Sequence, residues 1–257
     1  MSTIDITLGE VAATLVLVAL ATAASLWRRA DLEQDLGVAV VRSFLQLTAV
    51  GYVIQAIFDS DSLWLVVLLL SGMVAFGAAT ARSRAKGVPG ALGAIVLALS
   101  VAAATTLGLV LALGVFDAEP RYLVPVGGMV IGNSMTAAAV ALNRLADEVE
   151  SSAGLIESTL ALGATSREAS AGLVTRSLRS GMIPLIDSTK TTGIVFFPGT
   201  MVGMLVAGAE PLDAVRLQLI LLWSLLGSVS LAALIAVSLG YRGFFTRAHQ
   251  LREPPSP

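Results

Sequence analysis

The feature that most constrains this chain is a series of apolar runs, each near the ~20 residues a helix needs to cross a ~30 Å hydrocarbon core. They fall at about 8–27, 37–58, 63–80, 91–114, 122–142, 182–208 and 212–239, separated mostly by short polar strings such as 28–35, 59–62, 82–87 and 117–121. The runs are too long for strands and lack the period of two that a barrel strand would show. Composition agrees. The chain is 56% apolar and 13% charged, whereas soluble domains run near 45–50% and about 25%. The expected fold is an all-α polytopic membrane protein of about seven transmembrane helices. It would comprise one transmembrane domain over 1–245 and a polar, disordered tail over 246–257.

The first run is preceded by acidic residues (Asp5) and contains Glu10, and Arg28 and Arg29 follow it. That polarity is wrong for a secretory signal, so the run is read as a retained span. Basic residues then orient the chain. Alternate loops carry Arg28 and Arg29; Arg82, Arg84 and Lys86; Arg144, Arg167, Arg176 and Arg179; and Arg242, Arg247 and Arg252. The opposite loops carry Arg121 and Arg216, while Arg42 and Lys190 lie in or beside apolar runs. The expected topology has the N-terminus outside and the C-terminus cytoplasmic, in a plasma or inner membrane.

Several chemistries are excluded. The chain has no cysteine, one histidine (His249) in the polar tail, and a net charge of −2. No disulfide framework, thiolate metal site or nucleic-acid partner is expected. No Gly-x-x-x-x-Gly-Lys-Ser/Thr loop is present to cradle nucleotide phosphates. Asp187-Ser-Thr-Lys190-Thr lacks the lysine directly after aspartate that a phosphorylated pump requires. Gly132-Asn-Ser134-Met lacks the second glycine of a nucleophile elbow. No catalytic site and no nucleotide-binding site is expected in this chain.

What remains is polar chemistry at membrane depth, which is costly and faces an interior or a water-filled path. Arg42 and Gln46 are four apart and share a helix face, although Arg42 is also close enough to a helix end to snorkel. Asn133 and Ser134 sit mid-run, either bonding between helices or lining a path. Asp187 and Lys190 are three apart, close enough to pair, in a solidly polar stretch that begins after Ile183-Pro184. Pro184, Pro198 and Gly199 are expected to break or kink the helix, making this stretch a gate or, alternatively, a solvated helix end with a packing kink. Gly128-x-x-x-Gly132 and Gly199-x-x-x-Gly203 are candidate close-packing faces. Met201 and Met204 follow the second break.

The longest polar loop, 143–180, falls on the arginine-rich side. An amphipathic segment there ends at Gly163, and a new helix starts at Ser166 with Glu168 in its first turn. Such a helix–turn–helix suits docking of a partner. Glu157-Ser-Thr-Leu160-Ala-Leu162-Gly163-Ala164 looks like the Glu-Ala-Ala…Gly loop by which ABC permeases contact their ATPase subunits. It departs from that loop in both alanines and in lacking the Ile-x-Leu-Pro expected after nine further residues.

The wider match is to one family. Val41-Arg-Ser-Phe-Leu-Gln46-Leu, Leu160-Ala-Leu-Gly-Ala-Thr165, Ile183-Pro-Leu-Ile-Asp187, Phe197-Pro-Gly-Thr-Met-Val-Gly-Met204 and Ala207-Gly-Ala-Glu-Pro-Leu-Asp-Ala-Val-Arg-Leu-Gln218 resemble the FetB-type permease family, in order from about residue 37 to the last span. The resemblance implies the membrane subunit of an ABC exporter, a homodimer working with two copies of a separate ATPase that binds ATP and Mg. It implies iron or an iron chelate as cargo, with plant relatives linked to aluminium tolerance and, in one case, to UDP-glucose transport. Glu157, Leu160, Leu162, Gly163 and Ala164 would couple to the ATPase, and Arg42, Gln46, Asn133, Ser134, Asp187, Lys190, Met201 and Met204 would line the path. The residues alone leave other readings open: an ATP-independent channel or secondary carrier, or an ABC exporter of a nucleotide sugar or other organic anion, which Arg42 and Lys190 would suit. They identify no set of metal ligands.

Overall fold

The computed structural model describes residues 7–252. It consists of α1 (Leu8–Ala13), α2 (Leu15–Arg28), α3 (Glu33–Ser60), α4 (Leu63–Arg84), α5 (Ala91–Ala112), α6 (Pro120–Ser151), α7 (Ala153–Ala161), α8 (Ser166–Thr191), α9 (Gly199–Val206), α10 (Pro211–Gly240) and a 3-10 turn, Tyr241–Phe244. Among the described residues there is no strand, only two isolated bridges. The chain is an all-α polytopic membrane protein. It divides into two compact units, one up to Asp61 and one from Ser62 onward.

The first unit is α1 to α3. Gly9–Arg28 and Glu33–Ser60 are each long and apolar enough to cross a membrane. The turn between them is stitched by Ser25, whose hydroxyl donates to Glu33 (2.7 Å) and accepts from the Leu32 amide (3.1 Å). Arg29 and Asp31 take left-handed backbone to make it.

In the second unit α4, α5, α6 and α10 are continuous membrane-length helices. Their seams are made of small residues. Ala91, Ala98 and Ala102 of α5, Ala138 and Ala141 of α6, and Ala232, Ala233 and Ala236 of α10 are all buried in one core with Ile95, Leu99, Leu142, Leu145, Val229 and Val237. Lipid gives helices no hydrophobic drive toward one another, so close backbone approach and dispersion must hold them together. Glycines mark the tightest points. A Cβ on Gly181 of α8 would lie 2.7 Å from the Ala137 carbonyl oxygen and 2.8 Å from the Ala141 Cβ on α6. These contacts differ from the expected glycine pairs. Gly132, Gly199 and Gly203 have nothing within 4 Å, and Gly128 meets only the tip of Met73.

Contacts at one end of this unit fix the direction of each helix. Gly87 lies against Ala146, Gly240 against Leu142 and Leu145, and Gly243 against Pro89. Arg176 on α8 pairs with Glu148 on α6. The 85–90 turn, the end of α6, the first half of α8 and the end of α10 therefore gather together. α10 has 30 residues, so it starts ~45 Å away at 1.5 Å per residue. Since α8 begins at the gathered end and α10 begins at the opposite one, the chain must cross between them. It does so in two pieces, α8 and then α9, with 192–198 as the break.

The run 182–208 is a broken crossing, and the break expected at Pro198-Gly199 lies there, at the start of α9. The break expected at Pro184 is corrected: α8 continues unbroken through Pro184 to Thr191. The break comes at Thr192–Pro198, where Gly193 adopts φ +83 and Pro198 caps the start of α9. Proline removes one amide donor and leaves the rest of the ladder intact, so flanking packing can carry the helix past it. The tail also differs from expectation over 246–252. Thr246 donates to the Gln250 carbonyl (2.8 Å), the Arg252 amide donates to the Phe244 carbonyl (2.8 Å), and Phe245 bridges Leu251. The remaining tail residues, 253–257, lie outside the described residues.

Candidate transport and coupling site

α8 places polar chemistry at depth. Gly181 sits against Ala137 and Ala141 in an antiparallel register. Six residues on, ~9 Å further from the gathered end, Asp187 is level with residues 131–135 of α6. That is the middle of the apolar stretch of α6. Asp187 and Lys190 form the expected pair at 3.6 Å, with side chains 63% and 71% exposed. Thr191 is also exposed, its hydroxyl donating to the Asp187 carbonyl (3.0 Å). On α6, Asn133 and Thr136 are exposed and bond back to their own helix, at the Met129 and Gly132 carbonyls. An ion pair at this depth is not tolerated against lipid, where a single charge costs at least ~2.5–3.5 kcal/mol. The face must meet water or another protein surface.

The other expected path residues divide. Ser134 is enclosed, not exposed, and its hydroxyl has no partner; the Gln218 side-chain oxygen on α10 is similarly buried and unmatched. Gln218 was carried in the sequence only as the end of a family motif, with no signal that it would be buried. Met201 is buried and Met204 half-buried, on α9 where it packs on α10. Arg42 and Gln46 belong to the first unit, exposed on α3 with Val38 and Leu45 on the same face. Among the described residues no three His, Cys, Asp or Glu side chains cluster as a metal site, so Asp187 of one copy is a single carboxylate.

The arginine-rich end carries the coupling candidates. α7 ends as expected at Gly163, whose φ of +91 fits a left-handed cap. The Gly163 amide donates to the Leu160 carbonyl (2.9 Å) and the Ala164 amide to the Thr159 carbonyl (3.3 Å), the paired bonds of a Schellman stop. α8 then starts with a capping box, Thr165 and Glu168 each bonding the other's backbone amide. Those bonds from Thr165 hold the Glu168 carboxyl below its usual pKa. Glu157 is exposed, and Leu155 and Leu162 project outward at 71% and 90% exposure. Leu160 instead turns inward against the core, beside buried Ile156. The apolar knobs are thus Leu155 and Leu162, and Ala164 is half-buried in the turn.

Sequence reasoning missed Glu148. Its carboxylate is nearly enclosed at 8% exposure, with Arg144 of its own helix at 2.6 Å and Arg176 of α8 at 2.7 and 2.8 Å. One carboxylate therefore holds two guanidiniums and fastens α8 to α6 one turn before α7 begins. The i,i+4 spacing of Arg144 and Glu148 was visible in the sequence; the partner 28 residues away was not.

A family model described as "Uncharacterised protein family (UPF0014)" matches residues 8–245. The chain is 41% identical over 248 residues to the UPF0014 membrane protein STAR2 of Oryza sativa subsp. japonica, covering 96% of this chain and 86% of that one. It is 39% identical over 243 residues to Protein ALUMINUM SENSITIVE 3 of Arabidopsis thaliana, covering 94% and 88%. It is 36% identical over 252 residues to the Probable iron export permease protein FetB of Escherichia coli (strain K12), covering 98% and 97%. No solved structure matches it. The chain belongs to the UPF0014 family.

Proposed function

We propose that this UPF0014 member is the membrane subunit of an ABC exporter, moving iron or an iron chelate out of the cytoplasm. The observation that carries the reading is the broken crossing, with Asp187 and Lys190 exposed at mid-membrane depth in a single copy. Two copies facing each other across that element would cover the pair and enclose a polar path, which supports a homodimer. A metal cargo would then meet an Asp187 from each copy, with hard oxygen ligands suited to ferric iron, while a chelate or other anion would be met by Lys190.

Coupling follows from the other end. The arginine-rich loops support a cytoplasmic placement, and α7 presents Leu155, Glu157 and Leu162 there. A separate ATPase binds ATP and Mg, and this chain hydrolyses nothing. Closure of the ATPase pair moves α7, and the Glu148 clamp passes that movement to α6 and α8 together. The carrier needs two states that differ in affinity for the cargo. The relative named as a probable iron export permease supports iron as the first cargo to try. The test is reconstitution of the permease with its co-purifying ATPase, comparing ferric iron, iron chelates and nucleotide sugars. ATP-dependent efflux of iron or a chelate is the expected result. Transport that proceeds without any ATPase sinks the ABC assignment in favour of a channel or secondary carrier.

A further inference from the structure

The gathered end of the second unit carries a basic pocket that the transport reading does not use. It measures about 410 Å³ and lies between α8 and the end of α10, lined by Arg167, Ser170 and Val174 on one side and Ser238, Tyr241 and Arg242 on the other. No carboxylate lines it. Arg144 and Arg176 are spent on Glu148, Arg121 on Glu119 and Arg216 on Asp213. Arg167 and Arg242 have no ion pair or hydrogen bond among the described residues, and neither do the hydroxyls of Ser238 and Tyr241. Ser170 donates to the Ser166 carbonyl (2.7 Å) and keeps its lone pairs free. Two unspent guanidinium forks and two unspent hydroxyls thus converge from two helices on one cavity. Next to it, Ser166 is fixed by the His249 Nδ1, at 3.2 Å from its amide and 2.9 Å from its hydroxyl, so the α8 wall is held in place.

We propose that this pocket binds a phosphate group, held between the Arg167 and Arg242 guanidiniums. Arginine's planar fork matches phosphate oxygens in a bidentate manner that few other side chains match. The volume suits a headgroup-sized ligand. Arg167, Ser170 and Val174 follow one face of α8, and Val174 lies ~10 Å nearer the membrane middle than Arg167. Two guanidiniums at the mouth, with Val174 on the deeper side, fit the phosphodiester of an anionic lipid, and a free phosphate would use the same mouth. Either occupant would tie the start of α8 to the end of α10, beside the coupling helix.

The full-length protein in a zwitterionic detergent supplies the test. Binding of short-chain phosphatidylglycerol, short-chain phosphatidylcholine and inorganic phosphate is measured by native mass spectrometry and by the shift in melting temperature. Phosphatidylglycerol is expected to bind and raise the melting temperature well above phosphatidylcholine, and Arg167→Gln with Arg242→Gln to weaken it at least tenfold. Arginine-dependent protection by inorganic phosphate at matched concentration supports the pocket with a soluble ligand; protection by the lipid alone supports the headgroup. The control is Arg82→Gln with Lys86→Gln, which removes two basic residues of the same end from a pocket lined only by α4 and the turn after it. If that variant loses as much binding as the first, or if neither phosphatidylglycerol nor inorganic phosphate shows binding that depends on Arg167 and Arg242, the pocket is refuted. Should the glutamine variant fail to fold, Arg167→Lys with Arg242→Lys keeps the charge without the fork. Weaker binding than wild type then supports the proposal, and equal binding overturns it.

Discussion

Glu148→Gln is the most informative single substitution. It preserves shape and removes the charge that two arginines share. The carboxylate is 8% exposed and receives three contacts of 2.6–2.8 Å. A hydrogen bond to a charged group contributes about 1.5–3 kcal/mol when buried. Arg144 and Arg176 are 49% and 56% exposed, so solvent screens much of that. The glutamine still accepts one bond through its carbonyl, while its amide is turned toward a guanidinium. The net loss is about 1–2 kcal/mol, with some return of repulsion between the two arginines. For a chain of this size that corresponds to a drop of about 2–8 °C in melting temperature. Tryptophan emission from detergent-purified protein would report it. A cycle with Arg176→Gln should give a coupling of about 1 kcal/mol, because the two side chains join different helices. Transport by the assembled complex should fall more than its stability does, since the clamp sits between α7 and the crossings. A melting temperature within a degree of wild type, with no coupling in the cycle, would refute the clamp.

Four other outcomes follow from the geometry. Gly181→Val should destabilise by about 1–3 kcal/mol or prevent folding, read as loss of monodisperse protein, because a Cβ there meets α6 backbone at 2.7 Å. Asp187→Asn and Lys190→Met should each leave the protein folded and abolish transport; normal transport in both would remove the pair from the path. Leu162→Asp should release the ATPase in pull-down with the permease intact, whereas Leu160→Asp should lower the melting temperature, since Leu160 packs inward. With no native cysteine, cysteines at Ser60 and Ser83 report topology: an impermeant reagent on intact cells should label the first and not the second.

How much of this was legible in the sequence depends on the length scale of the signal. Apolar runs fix membrane-length helices because lipid leaves backbone groups no partner outside their own helix, and each of the continuous helices appears where its run lies. Local caps are equally readable: the stop at Gly163 and the start at Ser166 are marked within five or six residues by the bonds to the Leu160 and Thr159 carbonyls and the Thr165–Glu168 capping box, although the added bond from Ser166 to His249 was not legible. The break at Pro198-Gly199 was legible too, whereas the one expected at Pro184 is absent. Proline at 184 is a local breaking signal, yet what holds α8 straight there is its seat on α6, with Gly181 pressed against Ala137, and that seat is invisible to local rules. The orientation of single side chains was hidden in the same way. Leu160 and Leu162 are equivalent in composition, and only the direction in which α7 leaves α6 makes one a core residue and the other an exposed knob. Asn133 and Ser134 are adjacent at one depth, and helix rotation alone exposes the first and encloses the second. The Glu148 clamp is the extreme case, because half of it lies across a turn on another helix. A carboxylate three residues from the end of a membrane helix reads as interfacial and solvated. It becomes a link between α6 and α8 only when α8 folds back and brings Arg176 to it.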